Sequence, residues 1–318
     1  MDSTSAVTRA VADFAAACLD DGPATPVCVG LSGGPDSLAL TACAVRAGLD
    51  VTALVVDHGL QQGSAAVAAR AADAARHLGA DAHVLTVEVG SRGGLEAAAR
   101  EARYAALDSA RAGRPVLLGH TADDQAETVL LGLARGSGAR SIAGMRAWRA
   151  PWGRPLLGIR RVQTLAVCTE LGLEVHHDPH NRDPRFTRVR LRSEVLPLLD
   201  EVLQGGVVEA LGRTAVALQD DLDALDGWAD DVAATAIGPD GLECVPLHDA
   251  PVAIRTRVIR LWLRGVGATE PTQRVIAAVD RLVVGAPTGT QVAIGGDPQV
   301  RTVVERVDGK LTVRPTVR

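Results

Sequence analysis

Two short stretches hold residue types that could do chemistry together. The first is Ser32-Gly33-Gly34-Pro35-Asp36-Ser37, lying between an apolar run at 26–31 and a helical run at 38–45. Strand, glycine turn and helix in that order aim backbone N–H groups and a helix N-terminus at an anion. Gly33 and Gly34 permit backbone angles and close approach that a Cβ forbids. Ser32 and Ser37 add hydroxyl donors, and Pro35 and Asp36 suit a first helical turn. A glycine turn alone is as readily an empty corner, so other residues must decide. The second stretch is His120-Thr121-Ala122-Asp123-Asp124-Gln125-Ala126-Glu127-Thr128. Thr121 can cap a helix there. Asp124 and Glu127 are three apart and share a helix face, as do His120 and Asp124, four apart. Acids in a first turn ordinarily complement the helix dipole, but this turn gathers an imidazole and carboxylates on one side.

The elements that must position these groups follow from periodicity. Continuous apolar runs at 26–31, 51–56, 82–87 and 116–119 read as strands. Helices are predicted over 36–47, 64–78, 95–112 and 123–135, with an amphipathic one at 6–19. Such alternation predicts an α/β fold with a doubly wound parallel sheet covered on both faces. Ligands of such sheets bind beyond the carboxyl ends of the strands. Four polar groups fall there: residues 32–37, Asp57-His58, Glu88 and residues 120–127. The apolar run 129–133 anchors the last helix as core, so its acidic turn faces the same crevice as residues 32–37. On the 95–112 helix, Glu96 and Arg100 are four apart, a spacing equally suited to a solvated ion pair.

After residue 135 the texture changes. Arg135-Gly136-Ser137-Gly138-Ala139-Arg140 is a basic loop whose G-x-G follows a helix, a poor setting for dinucleotide binding. Residues 146–161 interleave Trp148 and Trp152 with Arg, Pro and Gly, which suits either phosphate contacts with base stacking or a plain basic loop. A short helix at 162–171 precedes the turn-rich residues 178–183. Arg188, Arg190 and Arg192 then recur at alternate positions. Beyond residue 205, helices are expected over 207–236, 253–265 and 273–284, then short strands at 291–294, 300–304 and 311–313. The domains predicted are 1–200, with the chemistry, and 201–318, a smaller, mostly helical domain ending in strands.

Charge sharpens the picture. The chain carries −5 overall, yet residues 135–192 hold twelve Arg against four acids, and residues 198–253 hold twelve acids against Arg213. A local basic segment is what a phosphate backbone meets. Of 33 basic residues, Lys310 alone is lysine, so a Walker-type loop or a Schiff-base lysine cannot be built unless Lys310 folds back into the site. The five cysteines are scattered without a C-x-x-C pair and read as reduced core residues of a cytosolic protein. No apolar run reaches membrane-spanning length, and the N-terminus lacks a signal-peptide layout.

The S-G-G-x-D-S loop after a strand resembles that of the pyrophosphate-loop ATPases, which cleave ATP between its α and β phosphates. Within that group, residues 120–128 resemble the signature of the tRNA(Ile)-lysidine synthetase family. So do Arg135-Gly136-Ser137-Gly138 with Gly144-Met145, Arg154-Pro155-Leu156-Leu157, and Asp178-Pro179-x-Asn181 followed by R-x-R-x-R-x-x-V-L-P. Departures stand at His180, Val189 and Gln61. The resemblance implies ATP and Mg²⁺ as cofactors, with free L-lysine and a CAU-anticodon tRNA(Ile) as partners. It implies no membrane and is compatible with a homodimer. Ser32, Gly33, Gly34, Pro35, Asp36, Ser37, Asp57 and Arg100 would hold the nucleotide, with Asp36 also the metal ligand. Asp36, Asp124, Glu127 and His120 would form the catalytic set, Asp124 and Glu127 binding the lysine. Arg135, Arg140, Arg188, Arg190 and Arg192 would meet the tRNA, and Arg100 with one of Arg188 or Arg192 would contact the triphosphate or the adenylate. Two rivals remain: a sulfur-transferring tRNA enzyme of the same group, which usually carries paired cysteines, and a non-catalytic RNA-binding protein.

Overall fold

Side-chain alternation along the strands decides which layer each residue meets. In β1 (Val27–Leu31), Val27, Val29 and Leu31 enter one buried cluster with Phe14, Leu38, Leu40 and Cys168, while Cys28 enters another with Leu54, Leu107 and Leu118. A strand apolar on both sides needs cover on both faces. The structure is a computed structural model that describes residues 2–60, 63–90, 94–136, 138–176, 183–269, 271–287, 289–295 and 301–316. It divides into two compact units, Met1–Leu218 and Gln219–Arg318.

In the first unit, α1 (Ser3–Cys18) precedes β1, α2 (Pro35–Arg46), β2 (Val51–Asp57), α3 (Ser64–His77), β3 (Asp81–Thr86) and α4 (Leu95–Ala110). Then come β4 (Val116–Leu118), α5 (Ala122–Ala134), α6 (Ala139–Ile142), β5 (Trp148–Arg149), β6 (Trp152–Gly153) and α7 (Arg161–Glu170). The strands lie in the order β3-β2-β1-β4-β6-β5. Pairing is parallel, with Val27 opposite Val51 and Cys28 opposite Val116, except for antiparallel β5 and β6. The predicted doubly wound sheet is therefore present. Its order reverses between β1 and β4, the switch point at which such sheets open a crevice.

Two stretches take a form that the sequence left open. The arginine-tryptophan segment contributes edge strands, with the Trp148 ring edge-on to Phe14 and Trp152 edge-on to Tyr104, so both indoles are engaged in packing instead of free for base stacking. The arginines at alternate positions lie on a helix: α8 (Thr187–Arg190), a π-helical turn (Leu191–Val195) and α9 (Leu196–Val202) follow without a break. Pro197 has no N–H to give to the preceding turn, and the wider π turn lies just ahead of it.

Across the 207–236 region the expected helix is α10 (Val207–Ala236). The second unit carries β7 (Ile237–Gly238), β8 (Gly241–Glu243), α11 (Val245–His248), α12 (Val252–Gly265), α13 (Gln273–Val284), β9 (Gln291–Ile294), β10 (Arg301–Val307) and β11 (Lys310–Thr316). Its strands form a second sheet, β7-β8-β11-β10-β9, packed against Ile254, Val258, Trp262, Ile276 and Leu282 of the two longer helices. Lys310 pairs with Glu243 across this sheet at 2.8 Å. No described helix is long and apolar enough to cross a membrane.

Candidate active site

The loop after β1 turns tightly from strand to helix. Gly33 sits at φ +78°, a region costly for any residue with a Cβ, and lets the chain turn sharply into α2. Ser37 Oγ donates to the Gly34 carbonyl at 3.0 Å and accepts from the Ser32 N–H at 3.1 Å, closing the turn on itself. Pro35 opens α2 and Asp36 stands in its first turn. The first-turn N–H groups have no intrahelical acceptor, and they face the switch point.

Across that point the chain leaves β4 through Gly119. A Cβ there would lie 2.9 Å from the backbone of Asp36, so only glycine lets the two loops approach so closely. Thr121 then caps α5 in a capping box with Asp124: Asp124 Oδ2 accepts from the Thr121 N–H at 2.8 Å and from its hydroxyl at 2.9 Å. The box fixes one carboxylate oxygen and leaves Oδ1 to point into the crevice.

Arginines fill the space between the two loops. Arg161, at the start of α7, donates through Nε to Asp36 Oδ2 at 3.1 Å and through Nη2 to Asp124 Oδ1 at 2.6 Å. Its backbone N–H donates to Asp123 Oδ2 at 2.7 Å, and Asp123 also accepts from Arg160, whose Nη1 reaches Glu209 at 2.7 Å. Thr164, one turn along α7, donates its hydroxyl to Asp36 Oδ1. Arg192 donates to Glu127 Oε1 at 2.8 Å through Nε, and its Nη2 lies 3.6 Å from Asp124 Oδ1. Glu127 is fully buried, yet its Oε2 has no hydrogen-bond partner and lies 3.8 Å from Arg188 Nη1. Arg161 Nη1 is likewise buried without a hydrogen bond. Two unsatisfied groups of opposite sign at one point mark a site shaped for something polar.

Protonation follows from this packing. Burial raises the carboxyls of Asp36 and Glu127 above their ordinary range, and Arg161 and Arg192 only partly offset it. Burial would raise Asp124 as well, but Arg161, the Thr121 N–H and His120 together hold it below the ordinary value. His120 is pushed down to about 4, first by burial and then by Arg154, Arg103 and Arg100 against the pull of Asp124. It is neutral at pH 7, with Nδ1 buried and unpartnered.

Beside the loop lies a cavity of about 410 Å³ lined by Gly30, Ser32, Asp57, His58, Arg103 and His176 among others. Asp57 accepts from the Gly59 N–H at 3.0 Å, which with Ser64 lowers its carboxyl. Burial and the nearby Arg103 keep His58 below its usual value. The cavity has room and donors for a nucleoside next to a phosphate loop. Among the described residues no group of three His, Cys, Asp or Glu is arranged to hold a metal ion. Asp36 therefore fits only a metal that arrives with phosphate oxygens as most of its ligands, the usual habit of Mg²⁺.

Of the residues singled out in the sequence, Ser32, Gly33, Gly34, Pro35, Asp36, Ser37, His120, Asp124 and Glu127 meet at the switch point, and Asp57 lines the adjoining cavity. Arg188 and Arg192 reach Glu127. Arg190, between them, is exposed and paired with Glu194 at 2.8 Å. Arg135, Arg140 and Glu88 are exposed. Arg100 lies over the Tyr104 ring, 5.0 Å from its centroid, while Arg103, one turn further, lines the cavity. Gln61, Ser137 and residues 178–182 lie outside the described residues, as does the side chain of Glu96. Arg161, Thr164 and Arg103 were not singled out. One signal for Arg161 existed: paired arginines at a helix start oppose the dipole, which implies acids brought from elsewhere.

A PP-loop domain family matches residues 5–199, and a TilS substrate binding domain family matches residues 242–312. A tRNA(Ile)-lysidine synthase of Nocardia farcinica is 60% identical over 299 residues, covering 93% of this chain and 94% of that protein. Those of Mycobacterium tuberculosis and Rhodococcus erythropolis are 58% and 57% identical, covering 90% and 91% of this chain and 90% of each relative. Among solved structures, the U34-tRNA thiolase NcsA from Methanococcus maripaludis, with its [4Fe-4S] cluster, superposes with a TM-score of 0.54 at 17% identity. It covers 68% of this chain and 79% of its own, a likeness of fold alone.

Proposed function

Because the chain belongs to the tRNA(Ile)-lysidine synthase family, we propose that it joins free L-lysine to C2 of the wobble cytidine in a CAU-anticodon tRNA(Ile), using ATP. The reading has two steps. In the first, the C2 oxygen of the cytidine attacks the α-phosphorus of ATP. An O–P bond forms, the bond to the β-phosphate breaks, and pyrophosphate leaves into the 32–37 loop. Backbone N–H groups and the Ser32 hydroxyl stabilise the growing charge on the leaving group, the kind of preorganised donor set that lowers such barriers most, while Ser37 holds the loop in shape. Mg²⁺, where bound, would be held by Asp36 and would supply further charge neutralisation on the phosphates.

In the second step the ε-amine of lysine attacks the activated C2. A C–N bond forms, the C–O bond breaks, and AMP departs with the oxygen. Free lysine holds its proton to pH ~10.4, so the ammonium must first be held and then lose a proton. Asp124 and Glu127 would hold it. The raised carboxyl of Glu127 makes that residue the better proton acceptor of the two, and neutral His120 can take part through its unpartnered Nδ1. The product would be lysidine, which reads AUA in place of AUG.

What carries this reading is one contact set: Asp36 and Asp124 share the Arg161 guanidinium, so the phosphate-binding and acid-lined halves lie within one side chain's reach. The three arginines at the start of the 187–202 helix, with Arg188 and Arg192 at Glu127, are suited to bring the anionic tRNA to the same point. Incubating the protein with ATP, Mg²⁺, labelled lysine and the tRNA transcript tests it. Lysine should enter the tRNA with one AMP released per lysine, and Asp36→Ala should abolish both. Sulfur incorporation, or no incorporation with an intact transcript, would refute it.

A further inference from the structure

The acids that would receive the two cations of the reaction are not vacant. Arg161 spans them, with one arm of its fork on Asp36 and another on Asp124. Its third nitrogen, Nη1, is buried, has no hydrogen bond, and lies 3.9 Å from Glu127 Oε1. The side chain is 19% exposed and the two aspartates are 19% and 16% exposed, so these contacts are little screened by solvent. Burial works against the guanidinium charge, but Asp124 and Asp36 more than offset it, and the group stays charged. The start of α7 is anchored through the Arg161 N–H on Asp123 and the Thr164 hydroxyl on Asp36, so Arg161 swings at its side chain.

We propose that Arg161 is a positioning residue that stands in for both cationic ligands and thereby couples them. Mg²⁺ arriving with ATP at Asp36 takes one of its anchors and repels it. The polyphosphate in the 32–37 loop offers the guanidinium another anion, and Nη1 is already free to pair. Drawn off Asp36 and toward the phosphates, Arg161 yields Asp124 to the lysine ammonium more easily. Nucleotide and lysine therefore bind with positive linkage, which by thermodynamic necessity runs equally both ways. The inference rests on the placement of lysine at Asp124 given above. It predicts that lysine binds poorly before the nucleotide is present.

Equilibrium binding tests it without turnover. Titration calorimetry would measure L-lysine binding with and without Mg²⁺ and α,β-methylene-ATP. In the native protein the analogue should tighten lysine binding by about 5- to 150-fold, the usual range of such couplings. In Arg161→Met, lysine alone should bind tighter than it does to the native protein, and the coupling should fall below about 2-fold. Arg161→Lys, which keeps a cation but not the two-armed fork, should lose most of the coupling while keeping the fold. A merely structural Arg161 predicts the opposite sign, weaker lysine binding in both variants, and that result would overturn the proposal. So would a native protein that shows no coupling, or that binds no lysine with the analogue present. Asp124→Asn separates the two levels. Lysine binding indifferent to Asp124→Asn overturns the placement and the proposal together, whereas Asp124-dependent binding without coupling overturns the proposal alone.

Discussion

The two halves of the crevice are built on opposite plans. The half at the ends of β1 and β2 is open apart from Asp36, which Arg161 and Thr164 hold: it has the 32–37 loop, an adjoining cavity of about 410 Å³, and His58 with an unpartnered Nδ1. The half at the end of β4 is filled, its acids already met by Arg161, Arg188 and Arg192. Electrostatics explains the contrast. Backbone N–H groups and hydroxyls are neutral and can wait for an anion at little cost. Buried carboxylates left without a counter-charge would be protonated or would destabilise the fold by several kcal/mol. A protein can therefore keep a phosphate site empty, but a site for an ammonium must be charge-balanced in the ligand-free state.

Substitutions on either side sharpen this contrast. The largest effect is expected from Asp36→Ala, which should slow AMP formation by about 100-fold or more while tRNA affinity stays within about 2-fold, as seen by AMP release and filter binding. Asp124→Asn should raise the KM for lysine by about 10-fold or more, the worth of a charge-assisted hydrogen bond, with tRNA-dependent pyrophosphate release nearly unchanged. Equal loss of both steps would merge the two halves into one unit. A smaller effect concerns salt. Arg188→Ala and Arg190→Ala should each reduce the slope of log affinity against log salt by about 1 if the arginine meets phosphate. Arg190, exposed on the other side of the helix with Glu194, tests whether the tRNA covers that face too.

A separate effect is on stability against pH. Burial pushes His120 down to about 4 in the fold from 6.5 when free. A depressed histidine adds stability that is present above pH 6.5 and is lost as pH falls toward 4. The melting temperature should drop across that window, and less so in His120→Gln.

Much of this was legible in the sequence, for identifiable reasons. The strands are continuous apolar runs, so β1, β2 and β4 lie within a residue or so of their expected places. The loop and the acidic turn declared themselves through residue type and spacing. Arg161 did not, because nothing local separates it from its neighbours: its partners come from α2 and α5, 125 and 37 residues away. The helix at 187–202 was obscured by alternating arginines and by Pro197, both of which break helical periodicity. Only the fold shows that Arg188 and Arg192 share a direction and that Arg190 turns away.

The most direct check on the central claim is the chemical state of the wobble nucleoside. After reaction with ATP, Mg²⁺ and lysine, tRNA(Ile) with a CAU anticodon should be digested to nucleosides and read by mass spectrometry. The wobble cytidine should be converted to a cytidine carrying lysine through its ε-nitrogen at C2, in amounts equal to the AMP released. An unmodified cytidine, or one modified with sulfur, from a protein that binds the tRNA and turns over ATP would contradict it.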